Sequence, residues 1–340
     1  MKAHSQHRPP SRSLALLLLT VALLVAATIA AAFTREAEIE AARANTGLRP
    51  VVLVAGASGQ TGRLIARRAR AEGYAVRATS RDVERASRSV PGDFDWVQLD
   101  VRDRSAAREA ARNTEFVVCA VGAQVWDGPE GPQYVDYRGV VNLIDAAVAA
   151  RVKHFVLISS ASAGSHRDQS KQARLGHILL WKTKAEDHLK ASGLAYTIVG
   201  PAGLRNDAGG AKGLRALRRE DYRPTYVTRD DVARVAIDAL RNPAARNKSF
   251  ALVNDEAATP EAWRRELEAM RRDAPAGPAT QVSSAAGDDR PVAAGRSRFV
   301  PPAPARERVM IEEERSAGEK PRVGWTPPAP QLMPARTTAQ

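Results

Sequence analysis

Cysteine occurs once, at Cys119, so neither an intrachain disulfide nor a cysteine-built metal centre can form. Within "FVVCAVGA" it reads as a small apolar strand residue rather than a catalytic thiol. Histidine is also sparse. The six residues at positions 4, 7, 154, 166, 177 and 188 show no HExxH or other compact ligand spacing, which argues against a metal site. Aromatic residues make up only 5% of the chain. With few stacking platforms, and with arginines scattered among acids, the formal charge of +13 gives no strong nucleic-acid signal. It reads instead as a solvated or membrane-facing excess.

Charge itself is missing from Ser13 to Thr34, "SLALLLLTVALLVAATIAAAFT". As a helix rising about 1.5 Å per residue, this run is long enough for a hydrocarbon layer of about 30 Å. It reads as a transmembrane anchor. A cleaved export signal is the alternative, because "TIAAAF" offers small residues, although the run exceeds a usual signal core. Lys2, Arg8 and Arg12 precede it, and Arg35, Glu36, Glu38 and Glu40 follow. The resulting organisation is a basic segment (1–12), an anchor or signal (13–34), a linker (35–49), an α/β domain (50–255), a helix (256–273) and a mostly disordered tail (274–340). The tail is rich in Ala, Pro, Gly and charge, a composition that cannot bury enough apolar surface to order itself.

After Pro50 the pattern becomes periodic. Val51 to Ala55 predict a buried strand, Thr61 to Ala71 a helix and Tyr74 to Thr79 a second strand. Gly56, Gly59 and Gly62 fall at the first turn. Glycines there permit tight geometry and close approach of a pyrophosphate, which the helix N-terminus stabilises through unpaired amides. At the end of the second strand stand Ser80 and Arg81, where an acid would favour a free ribose. A hydroxyl and a guanidinium suit an added 2′-phosphate, and so NADP(H) over NAD(H). The other reading of Arg81 is an exposed turn residue paired with Asp82 or Glu84. "FDWVQLDV" and "FVVCAVGA" predict the third and fourth strands. Asp100 is a candidate for the adenine side, and Ala120 to Gly122 for close passage by the dinucleotide. "GVVNLIDAAVAARV" predicts a long helix, "KHFVLISSASA" a buried strand and "SGLAYTIV" the next. Strands covered by recurring helices predict a doubly wound, mostly parallel Rossmann-like sheet.

Taken in order, "VAGASGQTGRL", "RATSRD", "VQLDVRD", "VDYRGVVNLIDAA", "HFVLISSASA", "WKTKAEDHLKASGLAYTIVGPAGL" and "YVTRDDVARVAIDAL" resemble the atypical short-chain dehydrogenase/reductases, specifically their NmrA-like NAD(P)H-binding group. The resemblance runs from about Pro50 to Asn254. It implies a phosphate turn at Gly56, Ser58, Gly59 and Gly62, with Thr61 and Arg81 beside it. It also implies ribose and nicotinamide contacts from Ser160 and Lys182, with Pro201, Ala202 and Gly203 bordering the nicotinamide. The family's tyrosine would stand four residues before the lysine, on the same helix face. That position is Ile178, which cannot transfer a proton. Ser160, a water or Tyr137 are the remaining candidates for that role.

Lys182 has a second reading as a solvated charge paired with Glu186, an i,i+4 contact of about 0.2–0.5 kcal/mol. Trp181, Ala185 and His188 or Leu189 read mainly as core packing. Gly203, Gly209, Gly210 and Gly213 predict an irregular pocket edge. Asp230 or Asp231 are expected to cap the helix after Thr228, while Arg229 faces either a ligand or those acids. "KSFALVN" predicts a short edge strand and "PEAWRRELEAMRR" an amphipathic helix.

The functional expectation is a membrane-associated NADP(H)-binding protein that reduces an unidentified acceptor without the usual tyrosine. The alternative is a non-catalytic NAD(P)H-binding redox sensor, assembly factor or scaffold. Its further partner, small molecule or protein, is unspecified. The positive-inside tendency would carry the domain away from the cytoplasm, against the supply of such a cofactor, and the flanking charge difference is too small to decide the side.

Overall fold

The computed structural model describes residues 49–164 and 177–274. The apolar run 13–34, most of the linker, His166 and the tail from 275 onward lie outside the described residues. Among those described, no helix is long and apolar enough to cross a membrane.

Eight strands form one twisted sheet in the order β3-β2-β1-β4-β5-β6-β10-β8. In chain order they are β1 (Val51–Ala55), β2 (Ala75–Ser80), β3 (Asp95–Gln98), β4 (Phe116–Cys119), β5 (His154–Ile158), β6 (Tyr196–Pro201), β8 (Leu214–Leu217) and β10 (Lys248–Asn254). Two short strands, β7 (Gly203–Arg205) and β9 (Tyr226–Thr228), pair in parallel beside it. All neighbours in the large sheet are parallel except β8, which runs against β10.

Period-two alternation on strands buried on both faces divides the core. In β1, Val52 and Val54 face one layer, whereas Leu53 and Ala55 face the other. The first layer holds α1 (Gly62–Ala71), α6 (Arg229–Asp238) and α7 (Ala262–Ala269), through Ile65, Ala66, Val232, Val235, Trp263 and Leu267. The second holds α3 (Arg104–Ala111), α4 (Val140–Ala149) and α5 (Ile178–Ala191), through Ala107, Leu143, Ile144, Ala185 and Leu189. A short α2 (Val83–Ser89) joins β2 to β3, capped by the Asp82 carboxylate, which accepts from Arg85 N. Helices on both faces account for the unbroken apolar runs seen in the sequence.

Several expectations are corrected. "KSFALVN" is an interior strand, because Leu214–Leu217, just beyond the glycine-rich segment, pairs outside it and becomes the sheet edge. The cap of α6 is the Thr228 hydroxyl, accepting from Asp231 N, while Asp230 and Asp231 turn to the Gly209 and Gly210 amides. The long helix expected across "GVVNLIDAAVAARV" is entered through a π-helical stretch, Gln133–Gly139. "PEAWRRELEAMRR" does form a helix, and its Trp263 and Leu267 are fully buried. Cys119 is buried in β4, where burial pushes its thiol up to about 11, beyond nucleophilic use at neutral pH.

Candidate functional site

Strand order reverses between β1 and β4, so the crevice for a ligand opens beyond their carboxyl ends. The turn after β1 is built for close approach. Gly56 has φ +81°, and a Cβ there would lie 2.9 Å from Ala120 O, on the loop after β4. At Gly62 a Cβ would overlap the Gly56 carbonyl. Gly59 N donates to Gly56 O (2.9 Å), and Gly62 opens α1 at this turn. This is a cradle that a methyl group would fill, and the residues fit a pyrophosphate lying against a helix N-terminus.

On the β2 side, Ser80 Oγ lies 3.2 Å from Ser58 Oγ, so two predicted contacts do come together. Arg81 is not paired with Asp82 or Glu84, which cap α2 and bind Arg88 respectively. It reaches across to Glu130 at 3.1 Å, with both side chains about half exposed. Asp100 is held by Arg102 at 2.5 Å, and Arg102 also donates to Pro129 O. Burial alone would raise the Asp100 carboxyl, but the hydrogen bonds and charge of Arg102 outweigh it and leave it below the ordinary carboxylate range.

The other half of the cleft is organised by a residue that spacing did not single out. Asp136, in the π-helical stretch, is 1% exposed, and its carboxylate lies 2.8 Å from Lys182 Nζ. The second carboxylate oxygen accepts from Ala123 N at 2.9 Å, which fixes the loop carrying Gly122. Desolvation opposes the Lys182 charge, yet Asp136 more than offsets it, so the lysine is held above its usual range and stays protonated. Glu186 is therefore not the partner of Lys182. It accepts from Ser159 Oγ and from buried Arg219 (3.1 Å), whose guanidinium also donates to the carbonyls of Ser160 and Ala163 at 2.7 Å each.

Val121, Asp136, Val140, Leu157, Ser159 and Lys182 line a small cleft at the end of β5. Ser159 is thus the serine beside the lysine. Ser160 Oγ instead accepts from Ser162 N (3.3 Å) within the turn. Pro201 and Ala202 are buried at the end of β6, and Gly203 is exposed in β7. Thr61 sits half-buried at the start of α1 without a side-chain cap bond.

Ile178 opens α5 at the position where the resemblance places a tyrosine. Tyr137 stacks on Trp181 with ring centroids 5.8 Å apart, and Lys184 lies 4.7 Å over the indole. Trp181 is consequently half-exposed surface rather than core. A larger cavity of about 390 Å³ lies at the opposite, amino-terminal end of β1, β4 and β5, lined by Arg49, Glu115, Arg151 and Lys153, away from all of these groups. Among the described residues no cluster of three or more acids, histidines or cysteines is arranged to hold a metal.

Comparison with known proteins agrees with this geometry. A family model described as NAD(P)H-binding matches residues 56–243, more than half of the chain. An uncharacterized chloroplastic protein of Arabidopsis thaliana is 37% identical over 202 residues, covering 56% of this chain and 71% of its own. Sanguinarine reductase of Eschscholzia californica is 37% identical over 130 residues, 37% of this chain and 48% of that enzyme. The chain thus spans about half the length of that relative. The structure of a putative NAD-dependent epimerase/dehydratase from Bacillus halodurans superposes with a TM-score of 0.58 at 25% identity, covering 65% of this chain and 100% of the other. A glycine cradle at the β1/β4 switch point, a doubly wound sheet and a match over most of the domain lead to one assignment: the chain belongs to the NAD(P)H-binding family of atypical short-chain dehydrogenase/reductases.

Proposed function

We propose that this is a membrane-associated NADP(H)-binding protein that holds its cofactor as a short-chain reductase does but lacks that family's proton donor. The observation carrying this reading is the Lys182–Asp136 pair at 2.8 Å with Ile178 in the tyrosine's place. In the usual arrangement the lysine lowers a phenol's pKa; here its charge is answered by a buried carboxylate, while two ammonium hydrogens stay free for a ribose. The glycine cradle supports a pyrophosphate, and Ser58, Ser80 and Arg81 support a 2′-phosphate. Pro201, Ala202 and Gly203 would border the nicotinamide. The bound nicotinamide supplies or accepts a hydride.

Reduction of an acceptor then needs its proton from Ser160, Tyr137 or a water, since Ser159 already donates to Glu186. A redox sensor, assembly factor or scaffold is the second reading, favoured by the absence of a titratable group at position 178. Membrane association rests on the apolar run 13–34.

The test is titration of the detergent-solubilised full chain with NADPH and NADH, followed by an electron-acceptor screen. Dissociation constants in the micromolar range with NADPH tighter are expected, on the order of 8 kcal/mol of binding free energy. No binding of either cofactor would sink the proposal. Turnover with an acceptor would decide for the reductase, and binding without turnover for the sensor. Protease protection of membrane vesicles reports the anchor and its side.

A further inference from the structure

The half-buried arginines of this fold are generally matched to acids. Arg77 meets Asp95, Arg102 meets Asp100, Arg215 meets Glu266, and Arg234 meets both Asp231 and Glu261. Arg229 departs from this pattern. Its guanidinium donates to Asn206 Oδ1 at 2.9 Å, its buried Nε has no partner, and no carboxylate lies within 4 Å among the described residues. The neighbouring acids do not serve it: Asp230 accepts from Gly209 N, and Asp231 from Thr228 Oγ1, Asn254 Nδ2 and Gly210 N.

A second cation stands close by. α1 and α6 pack side by side in the same layer through Ile65, Ala66, Val232 and Val235; α1 follows β1, and α6 follows β9, the short strand paired with β7. Arg63 is the second residue of α1, directly after the phosphate-turn Gly62, and Arg229 is the first of α6. Arg63 likewise has no carboxylate partner among the described residues. Burial, followed by repulsion from Arg63, pulls the Arg229 guanidinium below its ordinary range. Two like charges brought together without an acid cost free energy that a bound anion would offset, and planar guanidinium forks suit an oxyanion.

We infer that Arg63 and Arg229 form an oxyanion-binding site at the mouth of the cleft, between the phosphate turn and the segment after β7, for a phosphate or carboxylate on a bound ligand. Two sources carry that chemistry: the pyrophosphate of the dinucleotide and an anionic group on the molecule it meets. The inference rests on the dinucleotide reading only for the first source. Asn206, held by Arg229 directly after β7, ties the site to the β7–β9 pair, so occupancy would also order that pair.

The experiment compares the full-length wild type with Arg63→Gln, Arg229→Gln, the double variant and Arg229→Lys. Calorimetry would follow NADPH, then inorganic pyrophosphate on free and NADP-loaded protein, at two salt concentrations, with unfolding midpoints as the control for folding. If the cofactor supplies the anion, each Gln variant weakens NADPH about tenfold, pyrophosphate competes with NADPH, and the salt dependence shrinks. Should a second ligand supply it, NADPH affinity is unchanged and pyrophosphate binds the NADP-loaded wild type but not the double variant. Arg229→Lys is expected to restore part of the affinity lost in Arg229→Gln. Unchanged NADPH and pyrophosphate binding in a folded double variant would overturn the site. A wild type that binds pyrophosphate but no dinucleotide would preserve the site and refute the cofactor reading instead.

Discussion

Asp136 changes what Lys182 can do. The pair is buried, so removing either partner strands a charge in a low-dielectric interior, a loss of about 3–5 kcal/mol. Lys182→Ala is therefore expected to weaken NADPH binding about tenfold or more and to lower stability as well. The double variant Lys182→Met, Asp136→Asn separates the two effects: denaturant unfolding should recover much of the lost stability while cofactor titration shows affinity still impaired. Recovery of affinity in the double variant would remove Lys182 from the binding site. At the other end of the cleft, Arg81 is exposed and shared with Glu130. Arg81→Ala should weaken NADPH about tenfold more than NADH, the size of a charge-assisted phosphate contact. Equal losses for the two cofactors would place the 2′-phosphate elsewhere. Lys182, Ser80 and Arg81 were visible in the sequence because each sits at a fixed distance from a turn or helix. Asp136 was not, because its meeting with Lys182 depends on a contact between elements 46 positions apart.

At the scale of elements, the phosphate turn was the most legible feature. Glycines at 56 and 62 are required by backbone proximity, which leaves a trace in composition. Gly62→Ala would drive a methyl into the Gly56 carbonyl. It should abolish measurable dinucleotide binding and cost about 1–3 kcal/mol by overpacking, as read by titration and chemical unfolding. Wild-type affinity in that variant would show that the turn relaxes and is not the cradle. The edge of the sheet was misread for a physical reason. "KSFALVN" has the composition of any buried strand, and nothing local reveals whether another strand lies outside it. The π-helical entry to α4 was equally invisible, since its apolar spacing continues that of the helix. The cap of α6 fell to Thr228 rather than the acids because both carboxylates were needed by the Gly209–Gly210 amides.

For the whole molecule, two apolar layers enclose the sheet and seal His154 between β4 and β6. Thr197 Oγ1 donates to Ala245 O, so His154 Nε2–H donates to Thr197 at 2.9 Å and its Nδ1 is left bare. Burial, then the charge of Arg246, pushes its pKa down to about 3. The unfolded chain takes up this proton near pH 6.5 and the native chain does not, so stability should decline as pH falls from about 6.5 toward 3. This single group contributes at most about 1.4 kcal/mol per pH unit. In His154→Gln the slope of unfolding free energy against pH over that window should flatten relative to wild type. An unchanged slope would mean that other groups carry the acid sensitivity.

The sequence by itself determined the class of fold, the tight glycine turn after β1 and the isoleucine where the resemblance implies a tyrosine, because each is written in local spacing: period two in covered strands, glycine where a side chain cannot fit, isoleucine one helical turn before a lysine. Tertiary structure alone decided which charges meet. Asp136 answers Lys182, Glu130 answers Arg81, Glu186 answers Arg219, and among the described residues no acid answers Arg229, since partner choice among many arginines and acids is set by which strand and helix ends the sheet order brings together.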